Sequence, residues 1–174
     1  MFKYVLLYIS LLLSPAFNVN TVGDSSAILS EIKGKTDFRL MLPTNNEWKV
    51  IVKHPYPLDY SKTITMVRLH YFDGNDSYVI GVEQHRANGY KITREKMVID
   101  VKNKEERITK IKEYFIPSQS GELIILNGIE ARFEAWASTD KGGILRWVDG
   151  GTYFEMDSLR LTKNEMIDLA KSMK

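Results

Sequence analysis

No cysteine occurs among the 174 residues, so neither a disulfide nor a thiolate metal site is available to this chain. Charge of one sign is missing as well. Lys and Arg number 24 against 22 for Asp and Glu, a net of +2 that gives no global pull toward nucleic acid or a membrane surface. There is no low-complexity tract and no internal repeat, and 44% hydrophobic composition suits one domain with a real core. No serine sits in a G-x-S-x-G elbow, and the glycine pairs Gly142-Gly143 and Gly150-Gly151 join strands rather than opening a phosphate-binding helix. These absences point away from an enzyme, and no cofactor is expected.

The longest apolar run, Tyr4 to Leu13, follows Lys3 and is about half of the roughly 20 residues a membrane span needs. Ser14-Pro15-Ala16 then offers small residues where a signal peptidase cuts. Residues 1–16 are expected to be a signal peptide and 24–174 a single domain. The product would be extracytoplasmic, touching the membrane only transiently through that peptide. Retention of the run as an uncleaved anchor is the alternative.

What is present is clearest in the C-terminal third. Asp149-Gly150-Gly151-Thr152 is a hairpin signal, because glycines accept the positive φ of a primed turn. It sets Trp147 opposite Phe154, Leu145 opposite Met156 and Arg146 opposite Glu155. Packing then argues for Phe133 opposite Trp147 in the preceding strand, Ile129 to Ala137, with Glu134 completing a charge ladder on the other face. Next, Thr162 and Glu165 form a capping box, and Met166, Leu169, Ala170 and Met173 recur at helical spacing. The expected fold class is α+β: a curved antiparallel β-sheet with an N-terminal helix and a C-terminal helix packed on its apolar face.

The run LRWVDGGTYFEMDSLRLTKNEMIDLAKSM resembles the closing signature of an uncharacterised domain family of Gram-positive extracytoplasmic proteins, some of them sporulation-associated. The matching positions are Trp147, Gly150, Tyr153, Leu161, Glu165, Ile167, Ala170 and Ser172. Phe38 to Pro43 is similar to the family's opening motif, and the run VRLHYFDGNDSYVIGVEQ to its central hairpin. The family is distantly similar to lipoprotein-carrier folds with an apolar concave side. This chain departs from the family's pattern in having no lipobox cysteine, so tethering by lipid is not expected.

In the middle, Ala27 to Lys35 reads as a short helix stopped by Gly34, and Arg39 to Leu42 and Glu47 to His54 as strands. A hairpin around Asp73-Gly74-Asn75-Asp76 would pair Tyr71 with Tyr78, Leu69 with Ile80 and Val67 with Val82. Its other face carries Arg68, His70, Glu83 and His85. In that register His70 and His85 stand six residues apart along the strand, about 20 Å, too far for one metal with bonds of ~2 Å. No metal is expected. The mixed-sign segment from Arg86 to Glu113 reads as a solvated face, which argues against nucleic acid as a partner.

Two functions remain. One is an exported, non-enzymatic binding module of the envelope, with an apolar ligand or envelope component held in a groove at Val67, Leu69, Ile80 and Val82 that opens if the N-terminal helix swings away. The other is a protein-interaction domain in envelope or sporulation regulation, its partner an unknown envelope protein.

Overall fold

The computed structural model describes residues 25–44, 47–54, 62–100, 105–137 and 141–174. The expected signal peptide lies outside them. The architecture is α+β. Helix α1 is Ser25–Lys33, and strands β1 to β3 are Lys49–His54, Met66–Phe72 and Tyr78–Arg86. Strands β4 (Lys91–Asp100) and β5 (Glu105–Tyr114) follow, then β6 (Glu122–Leu126), β7 (Ile129–Ala135), β8 (Gly143–Asp149), β9 (Thr152–Ser158) and helix α2 (Lys163–Lys171). Among the described residues seven strands make one antiparallel sheet in the order β1-β2-β3-β9-β8-β7-β6, while β4 and β5 pair only with each other. The main sheet is thus two meanders joined where β3 meets β9.

Alternation gives the sheet one apolar face. Val67, Leu69 and Tyr71 of β2, Ile80 and Val82 of β3, Phe154 and Met156 of β9, and Leu145 and Trp147 of β8 are buried there with Ile32 of α1 and Met166, Ala170 and Met173 beside them. The capping box forms as the sequence predicts: Glu165 N donates to Thr162 Oγ1 at 3.3 Å, and Thr162 N donates to Glu165 Oε2 at 2.7 Å. Gly150 and Gly151, at φ 54° and 82°, make the turn that fixes β8 against β9.

Three local expectations are corrected. Trp147 faces Ala131, not Phe133, which stands opposite Leu145. The slip is two residues, so every side chain keeps its face, and the reason is volume: a Cβ on Gly143 would lie 2.7 Å from the Phe133 ring, so Phe133 uses the space that this glycine leaves. In the first hairpin Leu69 pairs with Val82, Tyr71 with Ile80 and Val67 with Gln84. There the Asp73 carboxylate accepts from Asn75 N and Ser77 N, both at 3.0 Å, and Asp76 takes the positive φ of 55°, producing a wider turn and a bulge between Tyr71 and Phe72.

The third correction is the segment from Arg39 to Leu42, which is extended but joins no strand. It crosses the apolar face with its backbone satisfied mainly by side chains. Gln84, fully buried, accepts from Met41 N at 2.9 Å and donates to Met41 O at 2.7 Å. Thr152 Oγ1 accepts from Arg39 N and donates to Arg39 O, each at 3.2 Å. Leu42 exchanges backbone bonds with Lys174, and the C-terminus is thereby tied down. A buried amide pair left open would cost about 1–3 kcal/mol, so one glutamine in an otherwise apolar wall is well placed.

Candidate functional site

The four residues expected to line a ligand groove are walled in. Val67, Leu69, Ile80 and Val82 all have 0% exposure, packed in the same core as α1 and the crossing segment. Ile32 and Leu40, also buried, belong to that packing. With α1 packed in this way the four residues present no surface to solvent.

The opposite face is polar but internally matched. Arg146 donates from Nη1 to Glu134 at 2.7 Å and from Nε to Glu155 at 2.9 Å, so the predicted charge ladder forms even though Glu134 stands opposite Ile144. Arg68 bonds Asp157 and lies 3.6 Å from Glu83, while Tyr78 donates to the other Asp157 oxygen at 2.9 Å. Gly81 lets that cluster close over the strand: a Cβ there would stand 2.5 Å from the Tyr78 hydroxyl and 2.8 Å from the Arg68 guanidinium. Burial and the Asp157 carboxylate push the Tyr78 phenol far up, so it remains a donor. Asp157 joins Arg68 and Glu83, which the sequence places on one face, because β3 meets β9.

His70 and His85 are separate. His85 faces Met66 and His70 faces Gly81, four residues apart along the strand rather than six, or about 13 Å. Arg68 Nε donates to His70 Nε2 at 3.1 Å, and burial, then that guanidinium, hold the His70 pKa below its usual value. His54 is described only by its backbone. Among the described residues no three metal-ligating side chains come together.

His85 instead sits in an aromatic box. It is 1% exposed, stacked on Tyr90 at 4.0 Å and flanked by Phe115 at 4.5 Å and Tyr153 at 4.8 Å. Its Nδ1 bonds the Arg86 carbonyl at 2.9 Å, and burial lowers its pKa. Tyr90 immediately precedes β4 and Phe115 immediately follows β5, with Phe115 N donating to Tyr90 O at 2.8 Å. The box is the clasp of the β4–β5 ribbon.

That ribbon is the feature the sequence reading missed. Ten residue pairs, from Lys91 with Tyr114 to Asp100 with Glu105, run roughly 33 Å at ~3.3 Å per residue. Among the described residues neither strand has a second strand beside it. Met97 and Ile108 face each other at 57% and 58% exposure, and Ile111 and Tyr114 are also exposed. Salt bridges Arg94–Glu113 and Glu95–Lys110 and the Lys91 ammonium over the Tyr114 ring support the pairing without covering the apolar side chains. An isolated two-stranded ribbon is marginal in water, so its clasp and any partner matter.

No protein family, curated protein or solved structure matches the chain. Among the described residues no helix is long and apolar enough to cross a membrane.

Proposed function

We propose that this protein is an exported, non-enzymatic interaction module of the bacterial envelope that binds a partner protein through the β4–β5 ribbon. The observation that carries the reading is the contrast in exposure: Val67, Leu69, Ile80 and Val82 are buried, whereas Met97 and Ile108 stand as a solvated apolar pair on a ribbon that has, among the described residues, no further strand beside it. Burying such a side chain is worth about 1.5–3 kcal/mol each, and an open edge can accept an extended segment by strand addition. Export rests on the sequence of residues 1–16, and kinship with the Gram-positive family on the order of the motifs; both belong to the proposal. The alternating charges on the ribbon fit its role as well, since they discourage unspecific edge pairing.

The test is site-specific photo-crosslinking from position 108 in envelope fractions, with position 30 on α1 as the control. A partner captured at 108 and not at 30, and lost in Met97→Lys, supports the ribbon. Fluorescent fatty acid binding that is abolished by Leu69→Lys, without any ribbon crosslink, would return the function to a carrier.

A further inference from the structure

Strand β6, with the sequence ELIIL, ends the seven-strand sheet on the side opposite β1, and the two edges differ in kind. β1 carries Lys49 and Lys53 and a bulge between Val52 and His54, devices that keep an edge from pairing with another chain. β6 carries none of them. Its one charged residue, Glu122, accepts from Lys163 Nζ of α2 at 2.6 Å, and the other four residues are apolar. Leu123 and Ile125 point away from the core at 47% and 58% exposure, and among the described residues no backbone hydrogen bond reaches the outer side of β6.

We propose that β6 pairs with β6 of a second copy of this chain, antiparallel about a two-fold axis at Ile124, so that the two seven-strand sheets become one continuous sheet. The strand is complementary to itself. Pairing about Ile124 engages all five residues of both copies, sets Leu123 opposite Ile125 of the second copy on the outer face, and repeats that contact across the axis. Charge selects the direction. On β7 Arg132 stands beside Leu123 and Glu130 beside Ile125, so the antiparallel arrangement continues each Arg132 row into the Glu130 row of the other copy, whereas a parallel one would align like charges. The helices leave room for it. α2 reaches both β6 and β8 and so lies over β7, which sets the two copies of α2 three strand spacings apart, about 14 Å, against a helix diameter of about 10–12 Å. Leu123 and Ile125 of both copies leave water, but a short strand makes a small interface, so the dimer is weak and reversible, half formed at about 10–100 µM.

This surface is separate from the ribbon, and the variants tell the two apart. Sedimentation of the full exported chain over a concentration series should show a monomer–dimer equilibrium. Ile125→Lys, a change at an exposed position, should raise the dissociation constant at least about tenfold, and Met97→Lys on the ribbon should leave it unchanged; circular dichroism verifies the fold of both. The lack of native cysteine makes the axis directly testable. Under mild oxidation Ile124→Cys should give a disulfide-linked dimer, because each new thiol faces its own copy across the axis, and Ile108→Cys on the ribbon should not. A chain that stays monomeric at about 1 mM, where weak specific contacts are already populated, overturns the proposal. So does a dimer that survives Ile125→Lys, or the absence of a crosslink from Ile124→Cys. A dimer abolished by Met97→Lys, or crosslinked from Ile108→Cys alone, overturns it as well and assigns self-association to the ribbon.

Discussion

Phe154 lies flat against Trp147, ring centroids 4.8 Å apart and planes 5° from parallel, directly across the β8–β9 pair. The stack is buried in the apolar face, with the small Ala131 as the partner of Trp147 on the β7 side. Trp147→Ala therefore leaves a cavity that Ala131 cannot fill and should cost about 3–5 kcal/mol in denaturant unfolding. Trp147→Phe, which keeps a ring against Phe154, should cost clearly less.

Gln84 supports the crossing segment rather than the sheet. Gln84→Leu removes both partners of the Met41 backbone while keeping an apolar side chain, so a loss of about 1–3 kcal/mol is expected from the unsatisfied amide and carbonyl. Hydrogen exchange should accelerate at Met41, with the β8–β9 amides changed only as far as global stability falls.

His85 makes stability depend on pH. Its pKa in the folded chain lies below the ordinary value of 6.5 because burial outweighs the pull of the Arg86 carbonyl and of the Glu155 and Asp37 carboxylates. The unfolded chain then binds more protons. Stability is full above about pH 7 and falls as pH drops through the unfolded pKa near 6.5, levelling off below the folded value. His70 acts with the same sign. His85→Gln should flatten the pH 5 to 8 stability profile in part, and His85→Gln with His70→Gln should flatten it further.

Gly81→Ala should cost about 1–3 kcal/mol, because the new methyl meets Tyr78, Arg68 and Asp157 where they are bonded to one another. Combining it with Tyr78→Phe should cost less than the two changes added, since the hydroxyl is the nearest obstacle.

How far the sequence could be read depended on whether the deciding contact was local. The β8–β9 turn and the α2 cap were legible because Gly150-Gly151 and Thr162 with Glu165 carry their own geometry. Phe133 was placed on the right face and two residues out of register, as periodicity fixes a face while the space over Gly143 fixes the partner. Arg39 to Leu42 has an extended pattern, but its hydrogen-bond partners are side chains over 40 residues away. The ribbon was hidden by its charges: Arg94, Glu95, Lys110 and Lys112 erase the alternation that marks a half-buried strand, although Ile92-Thr93 and Ile108-Thr109 carried β propensity. The candidate surface went unread for the same reason, as the described side chains of these strands are largely exposed on both faces and leave no apolar period.

The strand order has one more consequence. β3 and β9 are held side by side by a complete ladder from Gly81 with Asp157 to Arg86 with Thr152, yet along the chain the meanders they belong to communicate only through the ribbon. A protease that nicks the chain between β4 and β5 would break its continuity without cutting into either meander. The two pieces would stay together as a non-covalent heterodimer, and loss of the uncut band on a denaturing gel would not signify loss of the folded protein.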